Sequence, residues 1–183
     1  MFERLEALSA RRHGHLRLWG GASYGFAARE RQVPVLFSEL REVAKHFAVV
    51  FPSASPTRPV ALLGTEQGEN RFVDASGRWT APYVPAYLRR YPFVLTRSGE
   101  GKEAGWTVAL DTMAPQISES QGEPLFDDEG EQSETLGRYL AFLSRFQREA
   151  DALPGQFQPL IDHDVLVERT LDIRRGERVE QRI

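Results

Sequence analysis

Cysteine is absent from the 183 residues. That removes disulfides, thiol nucleophiles and zinc–thiolate sites in one step, and it fits a reducing compartment. Lysine is nearly absent as well: Lys45 and Lys102 are the only two, and the remaining basic residues are arginines. No apolar run reaches the roughly 18 residues of a membrane span. The N-terminal stretch "MFERLEALSARRHGH" has no uninterrupted apolar segment, and Glu3 and Glu6 fall where a signal peptide would be basic or apolar, so no secretion signal is read. The net charge of −3 gives no whole-chain pull toward nucleic acid or a membrane surface, and neither is expected as a partner. Between Lys102 and Arg138 there is no basic residue at all, while Glu119, Glu123, Asp127, Asp128, Glu129, Glu131 and Glu134 crowd together. Such a block reads as a solvated loop.

What is present suits one domain of ordinary size, residues 1–183, with 41% hydrophobic residues to build its core. "HLRLW" (15–19) alternates like a strand. "PVLFSELREVAKHF" (34–47) reads as a helix with Pro34 in its first turn and Leu36, Leu40, Val43 and Phe47 on one face. "AVVFP" and "PVALLG" follow as strands, with a turn at "TEQGEN". "RFVD" and "RWTA" flank "DASG", where Gly77 can take the left-handed conformation, and Val73 then faces Trp79. "YVPAYLRRY" (83–91) is a short helical or turn segment ended by Pro92. "PFVLTR" pairs with "WTVALD" across the glycine-rich "SGEGKEAG", and a polar loop spans about residues 112–133. "SETLGRYLAFLSRFQREADAL" (133–153) is a second helix, N-capped by Ser133 and stopped by "LPGQ". Its apolar stripe is Leu136, Tyr139, Leu140, Leu143, Phe146, Ala150 and Leu153. The C-terminal residues read as a hairpin turning at Arg175-Gly176. The expected class is α+β, a mostly antiparallel sheet flanked by two main amphipathic helices.

Four catalytic patterns fit poorly. "GASYG" (21–25) matches G-x-S-x-G with Ser23 as nucleophile, but no convincing helix follows it before Pro34. "HGH" would turn His13 and His15 to one side of a strand, leaving a third metal ligand to come from His46 or His163. An EF-hand centred on Gly130 would need an acid where Leu125 stands, and a phosphate loop at Gly101-Lys102 would need Gly and Ser/Thr where Thr96 and Glu103 stand. No catalytic residue, metal or cofactor is therefore assigned.

The unusual stretch is "NRFVDASGRWTAPYVPAYLRRYPFVL" (70–95), which gathers Tyr83, Tyr87 and Tyr91 around Arg89 and Arg90. Tyr and Arg are favoured at binding hot spots. The same types also suit a junction where rings pack inward and guanidiniums reach acids, and the acids at 119–134 are the expected partners of Arg89 and Arg90. The junction is the favoured reading of the segment, and Tyr83, Tyr87, Arg89, Arg90 and Tyr91 are the candidate ligand-binding set if it is instead a recognition surface.

Taken in order, the "PVALLG" strand, "GENRFVDASGRW", "YVPAYLRRYPF" and "GEPLFDDEG" before an amphipathic helix resemble the SapC family, named after an S-layer protein. The resemblance covers about residues 2–175. It implies a bacterial protein and brings no catalytic residue to this chain. Relatives usually continue past the last hairpin, so a chain shortened at its C-terminus is expected. The S-layer name implies export, which this N-terminus does not support. The reading is a cytoplasmic, non-catalytic binding or accessory protein for a peptide, a protein or a small molecule, with a homo-oligomer left open. The alternatives are an enzyme, either a serine hydrolase using Ser23 or a metal enzyme using His13 and His15, and a structural assembly protein.

Overall fold

The computed structural model describes residues 1–20, 23–65, 68–98, 105–169, 172–175 and 178–182. Every sheet is antiparallel, but the strands form several small sheets rather than one. The first sheet joins β1 (Leu5–Ala7), β6 (Phe93–Ser98) and β7 (Gly105–Asp111), in the order β1-β7-β6. Phe93 stands opposite Leu110 and Arg97 opposite Trp106, the pairing expected from the two apolar runs. The second sheet orders β3 (Gln32–Pro34), β5 (Val60–Leu62) and β4 (Ala48–Val50) as β3-β5-β4. In the third, β2 (Arg17–Leu18) lies between β8 (Ile117–Ser118) and β9 (Glu123–Pro124), so the polar loop after β7 is pinned back onto the "HLRLW" segment. The terminal hairpin pairs β10 (Asp172–Arg175) with β11 (Arg178–Arg182); the expected turn residue Gly176 lies outside the described residues. So do most of "SGEGKEAG" and the middle of "TEQGEN". The antiparallel hairpin at 72–80 closes with Val73 facing Trp79, and Gly77 adopts φ +78°, as its turn requires.

Helices depart from expectation in length. The first is cut to a 3-10 turn (Phe37–Glu39) leading into α2 (Leu40–Val43). Pro34 does not open it: Pro34 ends β3 opposite Val60, and Leu36 is still extended at φ −79°, ψ 152°. The β-branched Val33 and Val35 favour that extended path and are fully buried along it. The expected face survives, with Leu36, Val43 and Phe47 buried. The long helix runs the other way. After α1 (Ala10–His13) and α3 (Ala86–Arg89), α4 spans Glu134–Asp162 and does not stop at "LPGQ". Ser133 caps it, its hydroxyl accepting the Leu136 N–H at 3.1 Å. Pro154 deprives the Ala150 carbonyl of its helical donor, and the Arg58 guanidinium donates to that carbonyl at 3.4 Å instead. The helix also continues because Leu153 and Phe157, on either side of Pro154, are buried.

Two main clusters form the interior. One packs Leu136 and Leu143 of α4 on Phe93, Leu110, Leu16, Leu18 and Leu125. The other gathers Val33, Val35, Val43, Phe47, Ala61, Leu63 and Leu88 around the second sheet. Leu36, Ala86 and Phe146 form a smaller third cluster between the residue that precedes the 3-10 turn, α3 and α4.

Candidate functional site

The 83–91 segment is held at both ends by a buried carboxylate. Glu39, from the turn before α2, accepts the Leu36 N–H on Oε1 at 3.2 Å. Its Oε2 accepts the Tyr83 hydroxyl and the Ala86 N–H, each at 2.8 Å, which fixes the start of α3. Arg89 lies 3.9 Å from the same Oε2 and donates to the Tyr83 hydroxyl at 3.2 Å and to the Val84 carbonyl at 3.0 Å. Burial, with the Glu39 hydrogen bond behind it, pushes the Tyr83 phenol up to about 12. At the other end Tyr91 donates to Oδ2 of Asp111 at 3.2 Å. Asp111 is fully buried and also accepts the backbone N–H groups of Glu3, Arg4 and Met113. Burial raises the Tyr91 phenol, and the Asp111 charge adds to the effect.

Arg90 sits among rings. Its guanidinium carbon is 4.1 Å from the Tyr87 ring centroid, 5.3 Å from Phe146 and 5.6 Å from Phe2, and Nε donates to the Tyr87 carbonyl at 3.3 Å. Burial lowers its pKa, yet the ring faces partly replace lost water. The acids at 119–134 are not the partners of Arg89 and Arg90. Among the described residues, Glu119 approaches His15 at 3.9 Å, Glu134 approaches Arg138 at 3.7 Å, and Asp127 accepts the N–H groups of Glu129 and Glu131 within its own loop. The reason is topological: β8 and β9 tie that loop to β2, while α3 packs toward Glu39 and the middle of α4.

Beside this junction lies a cleft of about 440 Å³. Leu18, Trp19 and Gly20 line it from the end of β2, Tyr24 and Phe26 from the following turn, and Leu88, Arg89 and Tyr91 from α3 and its exit. Gln116 comes from the residue just before β8 and Glu123 from β9, and Thr135, Arg138 and Tyr139 from the first turns of α4. Of the five sequence candidates, Arg89 and Tyr91 line the cleft, whereas Tyr83, Tyr87 and Arg90 lie behind them. Phe26 stacks on Tyr91 with centroids 3.9 Å apart and planes 16° apart. Burial raises the Tyr24 and Tyr139 phenols, so both stay protonated at neutral pH. Gln116 donates from Nε2 to the Ser23 carbonyl at 3.4 Å, and its Oε1 is buried with no donor among the described residues.

Ser23 is committed elsewhere. Its hydroxyl donates to the Gly77 carbonyl at 3.0 Å and accepts the Gly25 N–H at 2.9 Å, so it ties the turn that carries Tyr24 and Phe26 to the 72–80 hairpin. A nucleophile would instead offer that proton to a base. Gly21 and Ala22 of "GASYG" lie outside the described residues. His13 and His15 do not share a strand face. His13 ends α1, is buried, accepts the Ser9 N–H on Nδ1 at 3.1 Å and lies 3.6 Å from Glu6, while His15 is exposed near Glu119. Among the described residues no three His, Asp or Glu side chains gather to hold a metal ion. No helix among them is long and apolar enough to cross a membrane.

The cleft residues outside the 83–91 segment carried weak signals. Tyr139 stood in the apolar stripe of α4 as a ring with a polar tip. Tyr24 stood inside the serine pattern, and Gln116 in a loop with no pattern at all. Only the pairing of β8 and β9 with β2 brings Gln116 to Tyr24 and Tyr139.

A family model described as SapC matches residues 8–183, and the chain belongs to the SapC family. No curated protein and no solved structure matches it.

Proposed function

We propose that this SapC-family chain is a binding or accessory protein that takes a small organic molecule into the cleft between the 23–27 turn, α3 and the start of α4. The observation that carries the reading is the cleft itself. At about 440 Å³ it falls within the size range of small-ligand sites, and aromatic rings line it with a few polar groups among them. Of the ligand classes that the sequence leaves open, a small molecule fits this concave, ring-lined space better than an extended peptide or a flat protein face. Arg89 and Tyr91 serve as wall residues, held in place by Glu39 and Asp111. Tyr83, Tyr87 and Arg90 support them from behind.

A thermal-shift screen of small aromatic compounds tests the reading, with quenching of Trp19 fluorescence as the second readout. Gly20→Phe supplies the control, because a Cβ at Gly20 meets nothing within 4 Å and the added ring reaches the cleft rim without a clash at its base. The expected result is a set of compounds that raise the melting temperature, quench Trp19 and bind at least tenfold more weakly to Gly20→Phe. Compounds that bind equally well to Gly20→Phe, or a screen with no binder, would overturn it.

A further inference from the structure

We infer that the molecule the cleft takes is an aromatic monocarboxylate, its carboxylate held by the Arg89 and Arg138 guanidiniums and its ring by the aromatic wall. This rests on the cleft being a binding site. Both arginines line the cleft, and their side chains are 45% and 69% exposed, so an entering molecule can reach them. Arg89 is fixed but not used up. Its Nε donates to the Val84 carbonyl at 3.0 Å and its Nη2 to the Tyr83 hydroxyl at 3.2 Å, which turns that edge of the guanidinium toward the protein. Among the described residues Nη1 has no hydrogen-bond partner, and its two N–H groups remain to donate. Glu39 does not take them: it lies 3.9 Å from Nη2, too far for a hydrogen bond, and its oxygens already accept from Leu36, Tyr83 and Ala86. The rings of Tyr83 and Phe142, 5.6 and 5.5 Å from the Arg89 guanidinium carbon, hold the group in place.

Arg138 stands close by. Phe142 is one helical turn after it on the same face of α4, so Arg89, packed on Phe142, reaches the face that carries Arg138. The pair Arg138 makes with Glu134 is 3.7 Å long and exposed on both sides, and such a pair contributes little and yields readily to another anion. Burial raises the Tyr24 phenol and the Arg89 charge partly opposes it, so that charge is felt by a second lining group. The lining carries two cations, Arg89 and Arg138, and one anion, Glu123, which leaves one positive charge over. Glu39 and Glu134 beside the arginines hold the charge that the cleft can take to a single one, which a carboxylate supplies and a phosphomonoester exceeds. A guanidinium fork matches a carboxylate in shape as well as in charge. Trp19, Tyr24, Tyr91 and Tyr139 present the rings that favour a flat aromatic body behind it.

Naphthoate and naphthamide separate the charge from the ring, since they share the ring system and nearly the same shape and only naphthoate is an anion at neutral pH. Dissociation constants for both are measured by calorimetry on the whole chain, with wild type, Arg138→Gln and Arg89→Gln. Wild type is expected to bind naphthoate about tenfold or more tighter than naphthamide, the difference that charge-assisted hydrogen bonds supply over neutral ones. Each variant should bring the ratio of the two constants toward one. Arg89 also holds Tyr83 and Val84, so Arg89→Gln counts only if it melts near wild type; Arg138→Gln, on the surface, carries the test by itself. Equal binding of the two probes by wild type overturns the inference but leaves the cleft reading standing. A preference for naphthoate that persists undiminished in Arg138→Gln assigns the anion to another cation and also overturns it. If neither probe binds, the inference falls, and the compound screen with Gly20→Phe decides the cleft reading separately.

Discussion

The hydroxyl of Tyr83 donates to Oε2 of Glu39 across 2.8 Å, although 44 positions separate them in the chain. Glu39 is buried, and the same oxygen takes the first N–H of α3. One carboxylate thus anchors a tyrosine, a helix start and Arg89 together. Glu39→Ala would strip the acceptor from the Leu36 and Ala86 N–H groups, each worth about 1–3 kcal/mol when left unpaired in a buried setting. Urea unfolding should show a loss in the upper part of that range or beyond. Tyr83→Phe removes one hydrogen bond and should cost about 1 kcal/mol. A Glu39→Ala loss no larger than that of Tyr83→Phe would show that the two backbone bonds contribute nothing.

The surroundings of Arg89 and Arg90 predict a dissociation between stability and loop protection. Arg90 is enclosed by Tyr87, Phe146 and Phe2, so Arg90→Ala opens a gap in packing as well as removing a charge. The double variant Arg89→Ala, Arg90→Ala should melt at a lower temperature. The acidic loop at 119–134 should keep its wild-type protease resistance below that melting temperature, because neither arginine touches it. Faster cleavage of the loop in the folded variant would contradict this arrangement.

Gly77 and Ser23 form a second testable pair. An added Cβ at Gly77 would lie 1.8 Å from the Ser23 Oγ, and the φ of +78° is strained for any other residue. Gly77→Ala should therefore destabilise by at least about 1–3 kcal/mol and release the turn that carries Tyr24 and Phe26. Ser23→Ala should act in the same direction but less, since it loses the hydrogen bonds without a clash. Ligands found for the cleft should bind both variants more weakly. Unchanged stability in Gly77→Ala would refute the close approach.

Stability should fall in alkali. The Tyr83 phenol is raised from about 10 to about 12 by burial and then by Glu39, and burial also raises Tyr91, Tyr24 and Tyr139. The folded chain holds these protons more tightly than the unfolded chain. Their contribution is complete below about pH 10 and is lost as pH rises through the folded values. Ultraviolet difference absorbance of the phenolates, followed together with urea unfolding, checks both halves. Tyr83→Phe should flatten the decline between about pH 10 and 12. A decline identical in slope to wild type would remove Tyr83 from the account.

Local chemistry alone determined much of this protein. The hairpin at 72–80 followed from Asp74 and Gly77, because a turn with a left-handed glycine admits few residue choices and sets Val73 against Trp79. The β6–β7 pairing followed from two apolar runs across a glycine-rich turn, and the cap of α4 from Ser133. The four motif segments that resemble SapC also carried the family, which the match over 8–183 shows. Only the tertiary structure decided where helices stop. Pro34 went into a strand because Val60 paired with it, and Pro154 stayed within α4 because Leu153 and Phe157 are buried and Arg58 reaches the freed carbonyl. It also decided the partners of Arg89 and Arg90. Charge composition pointed to the acid-rich loop, but an ion pair forms where the backbone brings groups within a few ångströms, and the fold brings Glu39. The cleft belongs to the same category. Its walls come from six separate stretches of chain, and no local pattern records that Gln116, Tyr24 and Tyr139 meet, because their proximity exists only after β2 has paired with β8 and β9.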